Sequence, residues 1–318
     1  MTRRAAWRWG RIAAAGVILA LLVWRLGTGP FVDGLRAVDG WALLAATALA
    51  VPATLCCAWR WKIVARGMGV DLPLRAATAA YYRSVFLNVA VPGGIVGDVH
   101  RGITHGRASG HLGRGLRSVV WERGAGQLVQ FVLTAAVLLA LPSPVRDAMP
   151  PIVIAVLVAA AGLAVVVRVA PAGRSRYARV RATVGADIRD GLLAHRAWLG
   201  VAVASAVAVA CHAAIFMIAA HAVGTPAAWS TTLPLALLVM AAMVLPNVGG
   251  WGPREGVAAW AFAAAGLGAD RGVATAVAFG VMVFVASLPG AVVLGAGWLR
   301  RGEPASGGTP LPDVVADA

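Results

Sequence analysis

Long apolar runs alternate along the chain with short polar stretches that are rich in arginine. A helix of about 20 apolar residues is long enough to cross the hydrocarbon core of a bilayer. The pattern therefore predicts an all-α fold, a polytopic transmembrane helical bundle with about six full spans. The predicted spans are residues 12–24, 41–59, 119–141, 152–169, 198–223 and 272–298.

The basic stretches between the runs predict the topology. Arginine and lysine remain on the cytoplasmic side of short membrane loops, and five stretches of this chain are basic. They are the N-terminus, residues 60–75, residues 101–117, residues 171–196 and the pair at 300–301. The rule predicts a multi-pass protein of the inner or plasma membrane with both termini in the cytoplasm.

Two further apolar segments are interrupted by proline and glycine. The first break is centred on residues 92–98 and the second break on residues 246–255. Because basic stretches flank residues 74–91 on both sides, that segment is expected to enter the bilayer and return, or to lie at its surface. The alternative is that 74–117 and 231–267 cross fully, which gives eight or nine spans. Opposed, broken segments in the two halves indicate a possible inverted repeat.

Composition narrows the class of protein. Of the 318 residues, 60% are hydrophobic and only 13% are charged, too few charges to cover a soluble domain of this size. The net charge of +15 is attributed to topology signals and lipid headgroup contacts, and nucleic acid is not expected as a partner. We predict one membrane domain over residues 1–300 and a disordered cytoplasmic tail over 301–318. The three cysteines show no metal-binding spacing, and no cofactor is expected.

The two breaks share a chemical pattern. Each contains a proline, a glycine pair, a further glycine and an acidic residue beside an arginine. Proline removes a backbone donor, and glycine permits turns that other residues resist. Non-helical backbone at membrane depth survives only where protein, water or a polar ligand satisfies it. Pro253 is expected to open a new helix, with Gly252 near its cap and Glu255 in its first turn.

The residues around the breaks are candidates for substrate binding. Asp98 and Arg101 are spaced to pair on one helical face, either as an interfacial ion pair or as a site for a lipid phosphate. Arg123 either reaches the interface or joins this site, whereas Glu122 needs a partner at membrane depth. The full set is Arg83, Asn88, Gly93, Gly94, Gly97, Asp98, Arg101, Glu122, Arg123, Gly249, Gly250, Gly252, Arg254 and Glu255.

These motifs, in this order, resemble the transmembrane region of the lysylphosphatidylglycerol synthase family, which is also described as flippase-like. The resemblance covers roughly residues 12–298 and implies an integral membrane protein that handles an anionic or aminoacylated phospholipid, or a polyprenyl-linked lipid. It concerns the membrane part only, because no aminoacyltransferase domain is expected after Arg301.

Three functional hypotheses follow for this chain. The first is a lipid flippase or transporter in which the two breaks meet inside the bilayer and form a wet, charged path for a headgroup. The second is a membrane-embedded transferase that acts on a lipid-linked substrate, although no catalytic domain is visible and an enzyme is not favoured. The third is a membrane scaffold without transport activity. A homo-oligomer is compatible with all three.

Overall fold

The computed structural model describes residues 3–91, 94–169, 176–194, 197–245, 247 and 250–302. Within these ranges the protein is helical and contains no β-strand, which confirms the all-α class. The predicted tail lies outside them from residue 303 onward. The helices are α1 (Arg3–Leu26), α2 (Gly29–Arg36), α3 (Gly40–Gly67), α4 (Leu74–Ala90), α5 (Val96–Ala108), α6 (Leu112–Ala140), α7 (Met149–Val169), α8 (Arg176–Ala186), α9 (Ala197–Ala222), α10 (Trp229–Ala242), α11 (Pro253–Ala264), α12 (Ala269–Ser287) and α13 (Pro289–Gly302).

Several helices are long and apolar enough to cross a membrane. In the part of the chain that the structure describes, α3, α6, α9 and the pair α12–α13 over Ala269–Ala296 meet this description. The end of α1, Gly16–Leu26, and α2 form a pair bent by 98°, which counts as a fifth span if the pair is taken together. The predicted span at 152–169 lies within α7. The protein is therefore a multi-pass membrane protein, and the part of the chain that the structure describes contains four candidate spans, or five if the bent pair is one span.

Local sequence explains where these helices begin. The carboxylate of Asp39 accepts a hydrogen bond from the backbone N–H of Ala42 at 2.7 Å and so caps α3. Pro253 opens α11 immediately after Gly252, as predicted. Gly27 has φ +73° between α1 and α2, a backbone conformation that glycine adopts without strain and that permits the sharp bend there.

The two halves of the molecule repeat the same arrangement. Helices α3 to α6 and helices α9 to α12 each form a long helix, a shorter helix, a returning helix and another long helix. The first helices of the two halves, α3 and α9, pack on each other. The last helix of each half packs on the first helix of the other half, so α6 packs on α9 and α12 packs on α3. Each last helix also contacts the second helix of the other half, α6 with α10 and α12 with α4. This exchange of partners is typical of two structural repeats.

The repeats run in opposite directions. Near the end of α3, Arg60 contacts Ser205 in the first part of α9. At the start of α3, Ala42 and Ala46 share a buried cluster with Ile215 and Ala219, near the end of α9. The two central helices are therefore antiparallel, which supports the predicted inverted repeat.

Helices α4, α5 and α6 form two consecutive hairpins. A Cβ on Gly97 would collide with the backbone of Ser84, and Gly106 and Gly115 bring α5 and α6 into equally close contact. The chain therefore reverses direction at the first break, as the re-entrant interpretation requires. In the second half, α10 packs beside α11, and Gly272 of α12 touches Ala258 of α11 in the antiparallel sense.

Candidate functional site

The centre of the site at the first break is a glutamate on α6. The Glu122 side chain is fully buried and receives hydrogen bonds on both of its oxygens. Its Oε1 accepts from Arg60 Nε at 2.9 Å and Nη2 at 2.5 Å, and from the Tyr81 hydroxyl at 3.3 Å. Its Oε2 accepts from Arg101 Nη2 at 2.5 Å. One carboxylate thus links helices α3, α4, α5 and α6.

A second carboxylate lies at the start of α5. Asp98 accepts hydrogen bonds from Arg101 Nε at 3.0 Å, Ser84 Oγ at 3.0 Å and Asn88 Nδ2 at 3.1 Å. Arg123 Nη2 lies 2.8 Å from Oδ2 and 3.0 Å from Oδ1 of the same carboxylate. The spacing of Asp98 and Arg101 therefore forms the predicted pair, and Arg101 joins this carboxylate to Glu122. We call Arg60, Tyr81, Asp98, Arg101, Glu122 and Arg123 the first-break network.

Aromatic rings and small residues support the buried guanidinium groups. The Arg101 guanidinium lies 4.6 Å from the ring centroid of Trp61 and 4.5 Å from that of Tyr81. Such cation–π contacts offset part of the cost of removing a cation from water. Arg101 Nη1 is nevertheless buried without a hydrogen-bond partner. A Cβ at Gly126 would collide with the guanidinium of Arg60, so this glycine provides the space that Arg60 fills.

The first-break network carries an excess of positive charge and is open at one point. Three guanidinium groups face two carboxylates, which leaves one positive charge without a counter-charge in the network. The side chains of Arg60 and Arg101 are 7% and 0% exposed, whereas that of Arg123 is 44% exposed. Arg123, which is paired with Asp98, is therefore the most exposed of the three cations in the network.

The second break holds a smaller ion pair. Gly252 has φ +104°, which favours glycine, and its backbone N–H donates to Glu255 Oε2 at 2.7 Å. The other oxygen of Glu255 accepts from Arg254 Nε at 2.8 Å and Nη2 at 2.6 Å. The side chains of Arg254 and Glu255 are 4% and 0% exposed. This pair is balanced in charge and closed.

Contacts around Arg254 resemble those in the first half. Its guanidinium lies 4.9 Å from the ring centroid of Trp251 and 5.9 Å from that of Phe279. A Cβ at Gly280 of α12 would collide with this guanidinium, as one at Gly126 of α6 would with Arg60. Each repeat therefore buries a guanidinium beside a glutamate and opposite a glycine of its last long helix. In the second half aromatic rings contact this same arginine, whereas in the first half they contact Arg101 instead of Arg60.

The structure brings most of the predicted site residues into these two networks. Asn88 contacts Asp98 and also accepts the backbone N–H of Gly97 at 2.8 Å. Gly94 and Gly250 have φ +63° and +88°, so both breaks use glycine for conformations that other residues avoid. The predicted residues Gly93 and Gly249 lie outside the described residues. The two networks share no side chain among the described residues.

Arg83 lies on α4, the helix that carries Ser84 and Asn88, and residues 83 and 88 are separated by about 140° around a regular helix. Its predicted part in substrate binding stays a prediction.

Sequence reasoning missed the main partner of Glu122. Arg60 was assigned to a basic cytoplasmic stretch at 60–75, but α3 continues to Gly67 and buries Arg60 to 6% exposure. The signal was present, because apolar Trp61, Ile63 and Val64 follow Arg60 and continue the helix. Ser205, whose hydroxyl accepts from Arg60 Nη1 at 2.9 Å, had no such signal.

The fold and these buried ion pairs define a class: a multi-pass, all-α membrane protein whose helices are broken at two polar, ion-paired points. The family model described as the lysylphosphatidylglycerol synthase TM region matches residues 8–290, and the chain belongs to this family. The match includes both breaks and connects the protein with membrane lipids. No curated protein and no solved structure matches the chain. Among the described residues, no three His, Cys, Asp or Glu side chains form a group able to hold a metal ion.

Proposed function

We propose that this protein is a flippase or transporter that moves a lipid between the leaflets of the plasma membrane. Its substrate is an anionic or aminoacylated phospholipid, or a polyprenyl-linked lipid. The observation that carries the proposal is the first-break network, a buried set of charges in a membrane protein that opens at Arg123. Family membership supports the connection with lipids.

The energetics of buried charge favour a functional role for this network. Moving ions into a low-dielectric interior costs several kcal/mol per ion, and well-packed apolar residues often stabilise a fold equally well. Ionisable side chains within membrane segments are therefore functional candidates, especially when they are paired and line a break. Stability alone does not require three arginines and two carboxylates at one point.

Arg123 is the residue that first contacts the headgroup in this proposal. Its planar guanidinium matches two phosphate oxygens, and the Asp98 carboxylate already occupies the position that a phosphate would take. A headgroup phosphate replaces the Asp98 carboxylate as the partner of the Arg123 guanidinium, while the lipid chains remain in the hydrocarbon. The exchange replaces one charge-assisted hydrogen bond with another, so its net cost is small.

The position of the network along its helices is consistent with a path that starts in the cytoplasmic leaflet. In the proposed topology the end of α3 and the start of α6 face the cytoplasm, with both chain termini on the same side. Arg60 is seven residues from the end of α3, and Glu122 is ten residues from the start of α6. At 1.5 Å per residue, they lie about 10 Å and 15 Å from those ends.

The test is lipid transport in reconstituted vesicles. The full chain is placed in liposomes that contain a fluorescent phospholipid, and the fraction that an impermeant quencher reaches is followed over time. We expect faster exchange between leaflets than in empty vesicles, and a large loss of rate in Arg123→Gln. Arg189→Gln is the matched control, because it removes a guanidinium from an exposed pair with Asp190. Rates equal to those of empty vesicles, with folded protein, would contradict the proposal.

A further inference from the structure

We propose that the groove between α6 and α8 is a separate lipid site, which holds the phosphate headgroup of an anionic phospholipid at one end of the bundle. The groove has a volume of about 400 Å³ and is lined by Arg117 of α6 and by Arg179, Val180, Thr183 and Val184 of α8. Small-molecule sites commonly enclose about 300–1,000 Å³. The groove shares no lining residue with the first-break network, and its lipid stays bound to the surface.

The groove lies at the end of the bundle where α3 ends and α6 begins. The π-helical segment Asp187–Leu193, which follows α8, packs on α3, and a Cβ on Gly67 of α3 would collide with the backbone of Asp190. Arg117 is about 8 Å from the start of α6, just before the apolar run that begins at residue 119. Phospholipid headgroups occupy this boundary between polar loops and apolar spans. In the proposed topology it faces the cytoplasmic leaflet, where anionic lipids are attracted to basic segments.

Two guanidinium groups line the groove, and one of them has a carboxylate partner. Arg117 Nε and Nη2 donate to the two oxygens of Asp187 at 2.7 and 3.4 Å. The Asp187 side chain is 8% exposed, whereas that of Arg117 is 40% exposed and keeps N–H groups on its open side. Among the residues that the structure describes, no carboxylate pairs with the exposed Arg179. The groove therefore carries an excess positive charge that complements a phosphate monoanion.

Apolar side chains beside the two arginines favour a lipid over a free anion. Val180 and Val184 are both exposed, and their spacing from Arg179 places them on the same side of α8. The Thr183 hydroxyl donates to the carbonyl of Arg179 at 3.0 Å, so the arginines are the cationic donors of the groove. A phospholipid pairs with the arginines through its phosphate and covers the valines with its glycerol and upper chain carbons. Inorganic phosphate leaves the valines in water, which is unfavourable.

A lipid in this groove connects the linker between the two repeats to the membrane. Helix α8 belongs to this linker, and its main packing partner among the described residues is the Asp187–Leu193 segment. The pair of Arg117 with Asp187 joins that segment to α6, and the Trp121 indole N–H donates to the same carboxylate at 3.1 Å. A phosphate shared by Arg117 and Arg179 joins α8 to α6 directly.

The experiment measures which lipid lies beside α8 in the full-length protein. A fluorophore is placed on Ala182→Cys, an exposed position outside the groove lining, in a background without Cys56, Cys57 and Cys211. The protein is reconstituted in phosphatidylcholine vesicles that contain a minor fraction of brominated phosphatidylglycerol or of brominated phosphatidylcholine, and quenching is recorded. We expect phosphatidylglycerol to quench equally at an about tenfold lower fraction, the ratio that one charge-assisted hydrogen bond supports.

Variants in the same linker separate a built site from general attraction to basic residues. Arg179→Gln should lose the preference for phosphatidylglycerol, and Arg179→Lys should keep most of it. Arg189→Gln removes an equal charge from a side chain that is 75% exposed and paired with Asp190, and it should keep the preference in full. Equal quenching by the two lipids, or an equal loss in Arg179→Gln and Arg189→Gln, would overturn the proposal.

Two further results distinguish the lipid from a free anion and the groove from the transport path. Inorganic phosphate that abolishes the preference, where sodium chloride of equal ionic strength does not, shows that the groove binds the free anion and overturns the lipid assignment. A preference that survives phosphate supports the lipid. Because quenching reports binding and not movement between leaflets, a failure here leaves the proposed function as it stands, and a failure of transport leaves this site as it stands.

Discussion

The two breaks occupy equivalent places in the inverted repeat but differ in charge and exposure. At the second break, Arg254 and Glu255 form a neutral pair that is closed to solvent. At the first break, three arginines face two carboxylates, and Arg123 is 44% exposed. The same framework therefore holds a neutral, closed pair at one break and a charged, more exposed network at the other. In the proposed function, only the second kind of arrangement offers a binding point for a headgroup.

What the two breaks share is the way a buried arginine is accommodated. Gly126 and Gly280 lie on the long helices α6 and α12, and each leaves the space that a guanidinium fills. The guanidinium then contacts a buried glutamate, Glu122 or Glu255. Variants at matched positions therefore separate what is common to both breaks from what is particular to the first.

Glu122→Gln is expected to have the largest effect on stability. The substitution removes the charge that balances Arg60 and Arg101, and it leaves two buried guanidinium groups with weaker partners. Breaking a buried pair costs about 3–5 kcal/mol, and we expect the upper end here. Unfolding in mixed micelles of increasing denaturing detergent measures the loss. The control, Asp190→Asn in an exposed pair, should unfold like the wild type, and an equally stable Glu122→Gln would contradict the role of Glu122.

Glu255→Gln should destabilise the protein less. Only one guanidinium, that of Arg254, loses its counter-charge, and a glutamine oxygen still accepts the backbone N–H of Gly252. We expect about 3 kcal/mol, the lower end of the range for a broken buried pair. The same unfolding measurement applies. A loss greater than that of Glu122→Gln would mean that the second break, not the first, is the main centre of buried charge.

Gly126→Ala and Gly280→Ala are expected to have similar, intermediate effects. Each new Cβ would collide with a guanidinium that its glutamate holds in place, and such overpacking costs about 1–3 kcal/mol. The control is Gly124→Ala on α6, where a Cβ meets nothing within 4 Å. It should leave stability unchanged or slightly increased, because alanine favours helix. Strongly unequal losses at Gly126 and Gly280 would weaken the equivalence of the repeats.

Arg123→Gln should have the smallest effect on stability among these variants. Its side chain is partly exposed, and exposed ion pairs contribute at most about 1 kcal/mol. If the proposed function is right, the same substitution impairs transport strongly, which separates the proposed binding role of Arg123 from the structural role of Glu122. A loss of stability comparable to that of Glu122→Gln would remove this distinction.

Much of the local structure was predictable because it depends on residues close in sequence. Pro253 opens α11, Glu255 lies in its first turn, and Asp98 pairs with Arg101 three residues later. The apolar runs predicted an all-α membrane bundle, and the paired breaks predicted the inverted repeat. The bend of 98° between α1 and α2 was not predicted, because the apolar run alone does not indicate it.

The remaining features depend on contacts between distant parts of the chain. Glu122 required a partner, but sequence spacing did not identify Arg60, which lies 62 residues earlier on another helix. The charge-counting rule treated Arg60 as a cytoplasmic signal, since it does not separate an arginine at the end of a span from one inside a longer helix. Whether Arg123 reaches the interface or joins the site likewise depends on tertiary packing, which leaves its side chain partly exposed beside the carboxylate of Asp98.

The difference in access between the two breaks is the central claim, and paired cysteine labelling measures it directly. Cysteine is introduced at Arg123 or at Glu255 in a background without Cys56, Cys57 and Cys211, and the reconstituted protein is treated with a charged, water-soluble thiol reagent. The account predicts rapid labelling at residue 123, slowed by phosphatidylglycerol, and no labelling at residue 255 until the protein unfolds. Equal labelling at both positions, or faster labelling at residue 255, would contradict it.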